Sequence, residues 1–381
     1  MVFRSVCTIL LRKIGCGSEK FPLTLSLSLK NITLLRKIGG GSKKVPVNVI
    51  VIVEKYYFCT VICHKKGLLQ MVGNDIYRGR FAPSPTGRMH LGNVMAALMS
   101  WLSVKSKGGT WVLRHEDLDP DRSRLEYAQQ IEDDLLWLGL NWDEGGLDNR
   151  GDYGPYVQSQ RHEIYEEALA LMREMALLYP CFCTRADRLA ASAPHLNDPK
   201  PQPCHCFFLT DKERETLRQE RKESWKCRLP ETAGNRFCDG HYGLFVGDEA
   251  LRDPVMQRAD GAFAYQLAVV ADDAKMRITE VVRGCDLLSS TPLQLALYEM
   301  LGLQAPTFSH HPLLCAADGR RLCKRDTALH LGELKKRHTA EEVIGMVAHA
   351  IGLTQEPQPV SPQELLPLFN WNKIPKNNII L

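Results

Sequence analysis

The chain of 381 residues carries 48 Lys and Arg against 44 Asp and Glu, a formal net charge of +4. Its composition, 44% hydrophobic and 24% charged with 28 Gly and 21 Pro, excludes a collagen, a coiled coil and wholesale disorder. The near-balance of charge hides a split: residues 1–76 hold 12 basic and 3 acidic residues (+9), and residues 77–381 hold 36 and 41 (−5). At ~100–200 residues per domain the length predicts two domains and a sizeable core.

The first seventy residues differ in character from the rest. Leu10–Lys20 (LLRKIGCGSEK) and Leu34–Lys44 (LLRKIGGGSKK) agree at nine of eleven positions with a period of 24. Two copies are too few to stack into a solenoid. The basic, acid-poor composition allows a mitochondrial or chloroplast transit peptide, but the stretch is Lys-rich, and the Val/Ile run at 47–53 suits a strand better than an amphipathic helix. Gly39–Lys44 lacks the spacing of a phosphate-binding Walker loop. The reading preferred for 1–70 is a non-native or mistranslated extension, disordered or artefactual, with Met71 as an alternative start. No membrane span is expected, because the best candidate, Val45 to Cys63, is broken by Pro46, Asn48 and Glu54–Lys55.

From Tyr77 the pattern becomes that of an α/β protein. Tyr77–Phe81 reads as a strand, Ala82–Gly87 (APSPTG) as a turn, and Met89–Asn93 (MHLGN) runs into a helix whose Val94, Ala97, Leu98, Trp101 and Leu102 share one face. Strand, glycine-containing turn and helix together turn free backbone N–H groups toward an anion. Thr110–Arg114 (TWVLR) reads as a second strand, followed by His115-Glu116-Asp117-Leu118-Asp119. Carboxylates just past a strand's C-terminal end lie where open α/β sheets bind ligands. Glu116 is expected to face the pocket, and Asp117 and Asp119 to cap a helix beginning near Arg122.

Thirteen cysteines are present, four before residue 77 and four bunched between Cys181 and Cys206. An odd, bunched set favours a metal site in a reducing compartment over a disulfide framework. Cys181-Phe182-Cys183 and Cys204-His205-Cys206 form C-x-C-x20-C-x-C, two thiolate clips suited to tetrahedral Zn²⁺, with His195 and His205 as reserve ligands. Such a closed site is structural. Thr210 and Glu213 form a capping box opening a charged helix that is expected to reach Lys226.

RFAPSPTGRMHLGN (Arg80–Asn93) resembles the signature of class I glutamyl-type aminoacyl-tRNA synthetases, with HLGN standing for HIGH, and RHEDLD (Arg114–Asp119) resembles their second-strand motif. Downstream, Gly319–Arg325 (GRRLCKR) resembles a degenerate KMSKS loop; Cys323 replaces its usual Ser, and Asn93 replaces the last His of HIGH. Between them, DGAFAYQLAVV (Asp260–Val270) resembles the family's substrate-pocket strand and ITEVVRGCDL (Ile278–Leu287) the strand carrying its glutamate-binding arginine. The resemblance covers about residues 77–375 and implies a Rossmann-type catalytic domain with a zinc-containing insertion and a short helical C-terminal segment. The implied divisions are 71–175 and 251–310 for the two catalytic halves, 176–250 for the insertion and 311–381 for the loop and tail. It further implies glutamate binding by Arg80, Ala82, Ser84, Glu116, Tyr265 and Arg283, and ATP binding by His90, Gly92, Asn93, Leu322, Cys323 and Lys324. His90, Asn93 and Lys324 would be catalytic. One structural Zn²⁺ and Mg²⁺ with ATP are the expected cofactors.

Only 56 residues follow Arg325, too few for an anticodon-binding half. The chain therefore resembles the shortened branch of this family, the glutamyl-Q tRNA(Asp) synthetases. Those enzymes activate L-glutamate with ATP and transfer it to the queuosine base of tRNA(Asp). A truncated synthetase charging tRNA(Glu), or a non-catalytic tRNA-binding paralogue, are the alternatives. A cytoplasmic monomer without membrane contact is expected, and the −5 balance suits localised tRNA contacts rather than a broad basic face.

Overall fold

The computed structural model divides the chain into two compact units, Met1–Leu68 and Leu69–Leu381. The structure describes three strands of the first unit and, in the second, residues 77–184, 204–230, 232–247, 251–320, 322 and 329–381. In the first unit β1 (Thr24–Ser28), β2 (Asn31–Ile38) and β3 (Gly41–Lys44) form an antiparallel meander in that order. The second repeat copy thus supplies β3 and most of β2. The first copy, the 47–53 run and Met71 lie outside the described residues.

The second unit opens with β4 (Arg78–Phe81), α1 (Leu91–Lys105), β5 (Thr110–Leu113), α2 (Leu125–Trp137), β6 (Glu144–Gly145) and α3 (His162–Glu174). There follow β7 (Leu178–Cys181), α4 (Asp211–Glu220), β8 (Ser224–Cys227), β9 (Arg236–Asp239), β10 (Gly243–Val246) and β11 (Val255–Gln257). Helix α5 (Tyr265–Lys275), β12 (Glu280–Gly284), α6 (Thr291–Met300), β13 (Thr307–His311) and β14 (Leu314–Cys315) complete the catalytic half. The tail holds α7 (Leu331–Leu334), α8 (Ala340–Ala350), α9 (Pro362–Leu365) and β15 (Ile379–Ile380), which pairs in parallel with β14.

Five strands build a parallel sheet in the order β13-β12-β4-β5-β6. The first strand lies in the middle, and the chain leaves it on one side toward β5 and returns on the other at β12. Parallel strands need covered faces, and their residues alternate between two cores. Trp111 and Leu113 pack with α1, α2 and α8 through Leu98, Leu102, Leu135 and Val347, whereas Val112 packs with α3, α5 and α6 through Tyr165, Leu267 and Tyr298. Helix α1 crosses so close to β4 that a Cβ on Gly79 would lie 2.3 Å from a Val104 methyl. Strands β7, β8 and β11 form a separate antiparallel sheet, and β9 and β10 a hairpin. No helix among the described residues is long and apolar enough to cross a membrane.

Three sequence expectations are corrected. Helix α2 begins at Leu125 behind Arg124, with no side-chain cap. Asp117 instead accepts the Ser159 amide and hydroxyl at 2.7 and 2.6 Å, and Asp119 turns back on the Asp121 amide, so neither acid is available to the helix. The capping box at Thr210 and Glu213 is formed, but its helix stops at Glu220, because Ser224–Cys227 pairs as β8. Tyr265–Val270 is the start of α5 rather than a strand. The fully buried apolar run Leu267–Val270 carries no periodicity that separates the two.

Candidate active site

The order of the parallel strands creates a switch point between β4 and β12, where crossovers leave in opposite directions and open a crevice at the strand C-termini. Arg80 near the end of β4 and Arg283 near the end of β12 stand on either side of it. A cleft of about 970 Å³ opens beside it, lined among others by Ser84, Glu116, Arg258, Phe263 and Tyr265, with Cys183 reaching its edge. Ser84 and Glu116 are there because the turn after β4 and the end of β5 are tied together, the Glu116 amide donating to the Pro83 carbonyl at 3.0 Å. Ala82 is half-buried in the same turn.

The residues of RHEDLD point in alternate directions. Arg114 is fully buried and its Nη1 and Nη2 donate to Asp273 at 2.7 Å and Glu116 at 3.0 Å. His115 turns the other way and meets Glu132 at 2.9 Å. Arg80 also reaches Asp273, at 3.3 Å, so one carboxylate of α5 holds both guanidinium groups. Its neighbour Asp272 accepts from Arg161 Nε at 2.6 Å, Gln158 at 2.8 Å and the Tyr165 hydroxyl at 3.0 Å. Burial pushes the Glu116 carboxyl above its usual range, against the pull of Arg114 and Arg80. Burial opposes the Asp273 charge, yet Arg80 and Arg114 hold its carboxyl below the usual range. Tyr265, at the first position of α5, is raised by burial and by Glu116.

Arg283 is 6% exposed and touches no carboxylate among the described residues. Its Nε donates to His310 Nε2 at 3.0 Å and its Nη2 to the Thr291 hydroxyl at 2.7 Å, while Nη1 is buried with no hydrogen-bond partner among the described residues. The guanidinium lies 5.2 Å from the centre of the Phe308 ring. Burial lowers its pKa from the ordinary arginine value. An unpaired buried guanidinium nitrogen costs free energy until an acceptor arrives.

At the start of α1 the HLGN turn is a closed capping box. His90 Nδ1 accepts the Gly92 amide at 3.1 Å, and Asn93 Oδ1 accepts the His90 amide at 3.0 Å. With Nδ1 accepting, the ring proton of a neutral His90 belongs on Nε2. Asparagine at 93 therefore has a structural use, since its amide closes the box that orients His90. His330 bridges to His90, and the Leu331 amide donates to Met89, so the segment after the KMSKS-like loop is tied to HLGN. The Leu322 side chain is buried, and its amide is taken by Leu314. Cys323, Lys324 and His195 lie outside the described residues.

The ligand sulfurs of Cys181, Cys183, Cys204 and Cys206 all fall within 4.8 Å of one another, with Cys183 Sγ 3.4 and 3.5 Å from those of Cys204 and Cys206. A tetrahedral ion with bonds of ~2.3 Å separates its sulfurs by about 3.8 Å, so the four match such a shell. His205 is not part of the group. Burial pushes the Cys181 thiol up to about 11. The pair Asp239 and His310, which meet at 2.6 Å, was not visible as a site in the sequence; the two lie 71 residues apart and carry no local motif.

The profile of tRNA synthetases class I (E and Q), catalytic domain, matches residues 77–377. The glutamyl-Q tRNA(Asp) synthetase of Symbiobacterium thermophilum is 45% identical over 315 residues, covering 79% of this chain and 94% of that protein. Glutamate–tRNA ligase 2 of Syntrophus aciditrophicus is 37% identical, over 80% of this chain and 63% of its own length. A crystal structure of a glutamate tRNA ligase from Elizabethkingia meningosepticum, in complex with its amino acid, superposes with a TM-score of 0.68 at 29% identity, covering 80% of this chain and 66% of that one. The ordered motifs, the parallel sheet and the extent of these matches have one conclusion: the chain belongs to the class I tRNA synthetases (E and Q), of which residues 77–377 form the catalytic domain.

Proposed function

We propose that this protein activates L-glutamate with ATP and transfers it to the queuosine base of tRNA(Asp). The observation that carries the amino-acid choice is the buried, unpaired Nη1 of Arg283 at the switch-point crevice, which calls for an anionic partner. Arg80, Ala82, Ser84, Glu116 and Tyr265 complete the glutamate pocket. The acceptor is supported by relatives named glutamyl-Q tRNA(Asp) synthetase that match along 94% and 95% of their lengths.

In the first step an oxygen of the glutamate α-carboxylate attacks the α-phosphorus of ATP. The bond to the bridging oxygen breaks, giving glutamyl-adenylate and pyrophosphate. His90 and the positive end of α1, whose first turn Gly92 and Asn93 close around His90, stabilise charge on the phosphates, and Lys324 meets the departing pyrophosphate from the ATP-binding loop it shares with Leu322 and Cys323. Mg²⁺ bound with ATP would supply neutralisation of the phosphate charge. In the second step a hydroxyl of queuosine attacks the adenylate carbonyl and AMP leaves. The same reading makes this a cytoplasmic enzyme.

Glutamate is expected to load onto queuosine-containing tRNA(Asp) and not onto tRNA(Asp) lacking the base. Loading of the 3′ end of tRNA(Glu), with none on queuosine-containing tRNA(Asp), would reject this reading.

The four cysteines would hold Zn²⁺ as a closed structural site that ties β7 to the turn at 204–208, leaving no position for substrate. Wild-type protein should carry about one zinc per chain by metal analysis, and Cys181→Ser little or none. Equal near-zero contents in both would remove the assignment.

A further inference from the structure

The glutamate reading leaves unexplained why Arg283 is oriented by a histidine rather than by an acid. A carboxylate placed directly on the guanidinium would satisfy it and compete with substrate. A neutral imidazole fixes its direction without cancelling its charge. Arg283 Nε–H requires a lone pair on His310 Nε2, so the ring proton must sit on Nδ1. That nitrogen faces Asp239 Oδ2 at 2.6 Å.

Asp239 comes from β9, outside the parallel sheet, and its side chain is 0% exposed. Its carboxylate accepts the amides of His241 and Tyr242, each at 2.9 Å, and of His310 at 3.2 Å. The hairpin turn is pressed onto β13: the Gly240 amide donates to Phe308 at 2.8 Å, and a Cβ on Gly240 would lie 2.1 Å from Ser309 Oγ. Burial opposes the Asp239 charge, yet the His310 hydrogen bond and the two turn amides hold the carboxyl below its usual range. Burial likewise lowers His310.

We infer that Asp239 and His310 are positioning residues for amino-acid recognition, a relay in which Asp239 fixes the tautomer of His310 and His310 aims Arg283 at a glutamate carboxylate. This rests on Arg283 being the glutamate ligand. With Nε and Nη2 engaged by His310 and Thr291, the fork can rotate little, and Nη1 is the part left for the ligand.

Asp239→Asn is nearly isosteric and retains an oxygen for the turn amides, but turns an N–H toward His310 Nδ1. The ring proton is then forced to Nε2, donor against the Arg283 donor. In glutamate-dependent ATP–pyrophosphate exchange, this variant should raise KM for glutamate by about ten- to a hundredfold, with KM for ATP near the parent value. His310→Gln, whose amide oxygen can accept from Arg283, should recover glutamate affinity relative to His310→Leu. A parental glutamate KM in Asp239→Asn, or an equal rise in both KM values, overturns the relay. Should Asp239→Asn fail to fold, the His310 pair decides: equal glutamate KM values for His310→Gln and His310→Leu overturn it too. Arg283→Ala separates the two levels. If that variant keeps a parental glutamate KM, the glutamate reading itself fails; if it raises KM while Asp239→Asn does not, the relay alone fails.

Discussion

Arg283→Ala should raise the glutamate requirement by on the order of a hundred- to ten-thousandfold while leaving ATP binding nearly intact, because two charge-assisted hydrogen bonds are each worth about 1.5–3 kcal/mol. The substitution removes the one guanidinium of the crevice with no carboxylate among its described contacts. It also removes the Arg283 donor from His310 Nε2, leaving the Thr291 hydroxyl at 3.3 Å as its neighbour. Arg283→Lys should restore little, because an ammonium is a single point of charge and lacks the planar fork whose separate nitrogens reach His310, Thr291 and the ligand. Titration of glutamate and of ATP in pyrophosphate exchange separates these effects. An unchanged glutamate requirement would contradict the assignment.

The second large effect concerns stability. Asp272 is fully buried and gathers Arg161, Gln158 and Tyr165 at 2.6–3.0 Å, with Arg114 Nε at 3.6 Å. Asp272→Ala leaves the fully buried Arg161 without its carboxylate, a loss of about 3–5 kcal/mol. For a unit of roughly 300 residues this lowers Tm by about 5–8 °C, measurable by calorimetry. A shift under about 2 °C would mean that Arg161 finds another acceptor or that water enters.

The sequence was most legible where local chemistry and periodicity agree. The apolar face of α1 and the short β4 could be read because Val94, Leu98 and Leu102 repeat at helical spacing and the APSPTG turn forces a break. The four cysteines were legible because two C-x-C clips have few other uses. Helix α5 is hidden in the sequence because Leu267–Val270 is a short apolar run buried without a break. The acids after β5 were misassigned as caps because a single sequence does not reveal that Ser159, 42 residues downstream of Asp117, arrives first. Asp239 and His310 escaped for the same reason. Each is an ordinary residue in its own segment, and their meaning lies only in the meeting of β9 with β13.

The strand order has a consequence for how this enzyme comes into being. Strands β4 and β5 and helix α1 are close in sequence and can dock early. Strand β12 pairs with β4 across about 200 residues, Glu280 opposite Gly79. Arg80 therefore exists as a sheet residue before Arg283 arrives beside it, and Asp273, which neutralises Arg80, arrives with the same late segment. Contacts at such separation form late. A nascent chain halted before β12 lacks Arg283 and the strand that walls one side of the crevice, so the proposed glutamate site is complete, and glutamate can stabilise it, only in the finished fold.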